Sequence, residues 1–118
     1  MDERILKWFY DIKICIDEID SFFQHEEKDF FKYRNNVMLK RAVERNLEII
    51  GEAVNRIITR DNLFSQRISN AKAIIGLRNQ VIHAYDNISD ENIWSILTNH
   101  LPKLKLEVDM LIQENENN

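Results

Sequence analysis

Residues 77–85 read LRNQVIHAY and set Arg78, Asn79, His83 and Tyr85 into a largely apolar stretch bounded by Ile74, Ile75 and Leu77. Left buried and unpaired, each such polar group costs about 1–3 kcal/mol, so the four must be solvated, partnered or used. On a helix, at about 100° per residue, Asn79 and His83 share one stripe while Arg78 and Tyr85 share the next, so all four can border one patch. Arginine is a permanently charged planar donor suited to phosphate oxygens, and histidine exchanges a proton near neutral pH. Together they suit phosphodiester cleavage. In RNA the 2′-hydroxyl is a built-in nucleophile, so a general base, a general acid and a charge stabiliser suffice without a metal. Taken singly, each residue is more often a packing or capping group. The combination Arg-x4-His-x-Tyr is more telling, because the chain holds only three His and three Tyr.

Base and acid are two roles, and the motif has one His. A symmetric dimer that faces two motifs across a two-fold axis would supply both. His25 and His100 are weaker partners, since each sits among surface-type neighbours with no arginine pairing. Asn79, one turn from His83, is placed to hold its ring in one tautomer. Clustered metal ligands, a serine nucleophile elbow, a glycine-rich phosphate loop and paired thiols do not occur in the sequence, so no metal and no cofactor is expected.

The wider composition says what must position these groups. A chain of 118 residues suits one domain, and 44% hydrophobic residues with only two Gly and one Pro favour long helices over a many-stranded fold. Cys15 is the only cysteine, which fits a reducing cytoplasm and excludes an internal disulfide. The first residues, MDERILKWFYDIKICIDEI, are charged throughout, so neither a secretory signal nor a membrane span is expected and the reading is cytoplasmic. Net charge is −4, yet residues 28–83 hold eleven Lys and Arg against five Asp and Glu. A basic middle between acidic ends could offer a phosphate-binding face, although solvated helix faces read the same way.

Ile5, Trp8, Phe9, Ile12, Cys15, Ile16, Ile19, Phe22 and Phe23 recur at three- and four-residue spacing and predict a helix over about 2–24. The polar run 24–29 reads as a connection. A second helix carries Leu39, Val43, Leu47, Ile50, Val54 and Ile57, with Gly51 inside its stripe as a mark of close helix approach. Residues 59–67 read as a loop. The third helix, with Ile68, Ala71, Ile74 and Ile75, bears the motif on its last turns. Asn87 or Ser89 would cap a fourth, whose stripe of Ile93, Leu97, Leu101, Leu104, Val108 and Leu111 is interrupted by a kinking Pro102. One domain over 1–112 and a disordered tail over 113–118 are expected.

In order along the chain, RNLEIIGEA at 45–53, IIGLRNQVIHAY at 74–85, IWSIL at 93–97 and LPKL at 101–104 resemble the HepT-like HEPN proteins. The resemblance covers most of the chain from the second helix onward. It implies an all-α, antiparallel four-to-five-helix up-and-down bundle forming a symmetric homodimer around the motif. It further implies a metal-independent ribonuclease toxin, with RNA as substrate, no DNA expected, and an MntA-like nucleotidyltransferase antitoxin as partner. By position, Arg78 and His83 become the catalytic pair, Asn79 the support for His83, and Tyr85 the acceptor of AMP from the antitoxin. An anionic adduct two residues from His83 would block the cleft and repel RNA. Glu52 also matches the family pattern, where a helix-to-helix hydrogen bond is the safer reading. Relatives often carry Pro-Trp where this chain has Asn70 and Ala71. Two alternatives stand beside this reading: a non-catalytic subunit that binds nucleotides or substrate for a nucleotidyltransferase, and a helical dimer whose polar cluster is an interface network.

Overall fold

The computed structural model describes residues 1–23, 28–83 and 89–117, the side chains of 80–83 apart. Its elements are α1 (Glu3–Phe22), α2 (Phe30–Arg34), α3 (Val37–Arg60), a 3-10 turn (Asn62–Gln66), α4 (Ala71–His83), α5 (Asp90–Ser95), a π-helical turn (Ile96–His100) and α6 (Leu101–Glu116). Among the described residues there is no strand, and the chain is all-helical.

Local chemistry accounts for the helix starts. The Asp2 carboxylate accepts from the backbone N–H of Arg4 at 2.8 Å, the Asn36 side chain from that of Leu39 at 3.0 Å, and the Ser89 hydroxyl from that of Asn92 at 3.0 Å. Each satisfies a donor that the first turn of a helix leaves free. Of the two expected caps for the last helix, Ser89 is the one observed, and Asn87 lies outside the described residues.

Helix α3 is the centre of the bundle, packed by α1 on one side and α4 on another, and α1 also packs on α6. The neighbours run antiparallel. Asp2 pairs with Arg60 at 2.8 Å and Asn46 with Glu18 at 3.4 Å, so opposite ends of α1 and α3 meet. Lys13 with Asp109 and Lys105 with Asp20 fix the same sense for α1 and α6. The core is the predicted stripes turned inward: Phe9, Ile12, Ile16 and Ile19 of α1 meet Val43, Leu47, Ile50, Val54 and Ile57 of α3, all fully or almost fully buried. Ile74 and Leu77 close it from α4, and Ile93, Leu97, Leu104 and Val108 from the last helical stretch.

Three details depart from the sequence reading. Asp29 caps a short helix, α2, where only the lead-in to the second helix was expected; its Tyr33 is fully buried against Trp94, which draws the segment into the fold. The expected loop at 59–67 is largely a 3-10 turn capped by Asp61. Helix α6 runs on to Glu116, four residues into the expected tail, with Glu114 paired to Arg67 at 2.7 Å and Glu116 accepting from Tyr10 at 3.3 Å. Pro102, expected to kink the helix, sits just after a π-helical turn. It cannot donate to the preceding turn, and the chain before it widens, so that the Leu101 N–H reaches the Ile96 carbonyl five residues back.

Candidate active site at the α3–α4 junction

The site begins with a missing side chain. Gly51 lies on the α3 face against α4, where a Cβ would collide with Arg78 Cβ, stand 3.0 Å from Arg78 Cγ and 3.1 Å from the Ile74 carbonyl oxygen. Glycine here lets the backbones of α3 and α4 approach until the Arg78 stem lies flat on α3. Antiparallel packing puts the motif end of α4 toward the N-terminal half of α3.

From that stem the guanidinium reaches over the edge of α3. Its Nη2 forms an ion pair with Glu52 Oε2, and its Nη1 donates to Asn79 Oδ1 at 2.7 Å. The other Glu52 oxygen accepts from Arg56 Nε at 3.0 Å, one turn along α3. Arg78 Nε is buried without a partner among the described residues. The arginine side chain is 24% exposed, so the head is clamped on two sides while part of it still meets solvent. Two clamps fix a planar cation in one orientation.

The Arg78 head forms one end of a cavity of about 410 Å³ over α3. Glu48, Ile49, Glu52, Ala53 and Arg56 of α3 and Trp8 and Asp11 of α1 line it with Arg78. The basic middle of the sequence is therefore not a bare basic face. Arg41, Arg56, Arg60, Arg67 and Arg78 each pair with a carboxylate.

Of the expected site residues, Arg78 and Asn79 are brought together directly. Glu52 holds Arg78 across the helix pair, as the safer reading of it anticipated. His83 ends α4 five residues beyond Arg78, its side chain outside the described residues, as are Tyr85 and His25. His100 lines a different cavity, of about 330 Å³, with Gly76, Leu77 and Asn92. Sequence reasoning missed Arg56 and Glu48. The four-residue spacing of Glu48, Glu52 and Arg56 on a helix already marks one stripe, but nothing in it says that α4 lands beside them. Asn70 and Ala71, where Pro-Trp was the comparison, border a cavity of about 660 Å³ at the head of α4. Glu107 of α6 accepts from the Ser69 hydroxyl at 2.6 Å and from its backbone N–H at 3.1 Å, which ties down that end. Among the described residues, no three His, Cys, Asp or Glu side chains gather as metal ligands, and no helix is long and apolar enough to cross a membrane.

An all-helical bundle with an arginine of this motif at its α3–α4 junction is a domain of the HEPN class. The family profile described as "Ribonuclease HepT-like" matches residues 12–111, and the chain belongs to that family. "Putative RNase MJ1380" of Methanocaldococcus jannaschii is 38% identical over 114 residues, covering 94% of this chain and all of the relative. "Putative RNase MJ0125" of the same organism is 32% identical over 117 residues, covering 98% of both. "Putative RNase TTE0752" of Caldanaerobacter subterraneus is 34% identical over 89 residues, 74% of each chain. No solved structure matches significantly.

Proposed function

We propose that this protein is a metal-independent endoribonuclease, the toxin of a HEPN/nucleotidyltransferase toxin–antitoxin pair. The observation that carries the reading is the double clamp of Arg78 by Glu52 and Asn79 at the Gly51 junction, on the same helix as His83. The relatives' names add ribonuclease chemistry to it.

In the mechanism, one His83 takes the proton of the RNA 2′-hydroxyl as its oxygen attacks the adjacent phosphorus. Arg78 stabilises the charge that builds on the non-bridging oxygens. The P–O5′ bond breaks, the 5′-oxygen collects a proton from the second His83, and the ends are a 2′,3′-cyclic phosphate and a 5′-hydroxyl. The second His83 comes from the partner subunit of a symmetric homodimer whose motifs share one cleft. Asn79 retains its amide N–H groups for orienting the His83 ring, since its oxygen is engaged by Arg78.

An MntA-like nucleotidyltransferase antitoxin silences the enzyme. The Tyr85 hydroxyl oxygen bonds to the α-phosphorus of ATP, pyrophosphate leaves and the phenolic proton passes to water. The anionic adduct beside the cleft then repels RNA phosphates.

The test is incubation of purified protein with transfer and messenger RNA in EDTA, comparing wild type with His83→Ala and Arg78→Ala at matched folding. Cleavage by wild type alone supports the reading. Three equally silent proteins overturn it in favour of a nucleotide- or substrate-binding partner subunit of the nucleotidyltransferase.

A further inference from the structure

The cavity beside Arg78 carries a second kind of chemistry. Its carboxylates are not alike: Glu52 is taken by Arg56 and Arg78, and Asp11 pairs with Lys7 at 2.9 Å. Glu48 is only partly exposed, lines the same space, and has no hydrogen-bond or ion-pair partner among the described residues. Trp8 of α1, half-buried, lines the same space. Together with Arg56 it also walls an adjoining cavity of about 340 Å³ lined by Asn55 and Thr59. An aromatic side chain, a carboxylate with no partner among the described residues and a clamped guanidinium thus share one space of about 410 Å³, within the range of ligand-sized cavities.

The mixed charge orients what enters. A phosphate is drawn to the arginine end and repelled from Glu48, whereas a base edge that donates hydrogen bonds is drawn to Glu48. Aromatic side chains stack on any base, so Trp8 supplies affinity without choice. Glu48 supplies the choice. An ionised carboxylate only accepts, and has two oxygens side by side. Uracil presents one ring N–H, and adenine and cytosine one amino group beside a ring acceptor that the carboxylate repels. Guanine presents N1–H and the 2-amino group together, matching both oxygens.

We propose that this cavity is a guanine-binding subsite, with Trp8 as the stacking wall and Glu48 as the acceptor that selects the base, placing a guanosine next to the phosphate held by Arg78. The proposal rests on the ribonuclease reading for its place in cleavage, but the pocket's preference for guanine stands apart from it.

Calorimetric titration of the intact protein with GMP, IMP and UMP separates the two. The expected order is GMP over IMP, which lacks the 2-amino group, over UMP. Glu48→Gln reduces GMP affinity by about tenfold or more and levels the GMP and IMP affinities. Trp8→Leu weakens all three, with circular dichroism confirming the fold of each variant. Mapping of RNA ends shows wild-type cuts beside guanosine and Glu48→Gln cuts spread over other bases. Equal binding of GMP and UMP, or binding of neither, overturns the subsite even if RNA is cut. Selective GMP binding without RNA cleavage upholds the subsite and sinks the ribonuclease reading alone.

Discussion

Gly51 and Arg78 are in contact across the α3–α4 junction, with the arginine stem occupying the space where any other residue at 51 would carry its Cβ. Gly51→Ala sets two effects against each other. Alanine is favoured over glycine in a helix by about 1 kcal/mol, while overpacking a tight contact costs about 1–3 kcal/mol. The obstructing atoms are Arg78 Cβ and Cγ and the Ile74 carbonyl oxygen, none of which is the free end of a flexible chain. The clash should win, with a net loss of up to about 2 kcal/mol by urea denaturation. A variant as stable as wild type would mean that the helices part at little cost.

Glu52 tests clamping separately from stability. Both partners of the Glu52–Arg78 pair are a quarter to a third exposed, so Glu52→Ala should cost at most roughly 1 kcal/mol of folding stability. RNA cleavage should fall by about tenfold or more, because the guanidinium loses one of its two fixed anchors. Arg78→Lys should not retain full activity, since an ammonium lacks the planar fork of donors that meets Glu52 and Asn79 from separate nitrogens while facing a phosphate. Full cleavage by Glu52→Ala would show that Asn79 alone positions Arg78.

How much of this was written in the sequence depends on whether a signal is local. The stripes of α1 and α3 and the Ser89 cap follow from spacing and cap chemistry within a few residues, and all are observed. Gly51 was legible as a close approach, but not what approaches it. The short α2 has too few residues for a periodic signal and owes its position to Tyr33 packing on Trp94, sixty-one residues away in the chain. The C-terminal QENENN looked disordered because it has no apolar stripe, yet its first residues are held by Arg67 and Tyr10 from other elements. Glu48 and Trp8 were invisible as a pair for the same reason, since only the packing of α1 on α3 sets them around one cavity.

Cys15 gives a pH test of the core. Burial first, then the nearby carboxylates of Glu18 and Asp11, push its thiol up to about 11 from an ordinary 9.0. Because the folded-state value is the higher one, its contribution to stability is intact below pH 9 and is lost as pH rises from 9 toward 11. Tyr33, raised by burial, acts in the same direction at higher pH. Urea midpoints should decline over this interval, and Cys15→Ala should flatten the first part of the decline. At pH 8 a thiol reagent should react slowly with native protein and rapidly in denaturing urea. Equal rates in the two states would contradict the burial.

The proposed cleft shared by two subunits makes a quantitative claim about mixed dimers. If general base and general acid are the two His83 rings of one dimer, a single His83→Ala subunit disables the cleft it shares. Wild type and His83→Ala, mixed in equal amounts and allowed to exchange subunits, leave about one quarter of dimers fully wild type. Activity per dimer should then fall to about one quarter of the pure wild-type value. Independent sites, one per protomer, would leave about one half, the same as simple dilution. Sedimentation at the assay concentration establishes that dimers are present, and a tagged wild-type subunit that captures the untagged variant establishes exchange. A value near one half with exchange demonstrated would place base and acid within one protomer and remove the need for a composite site.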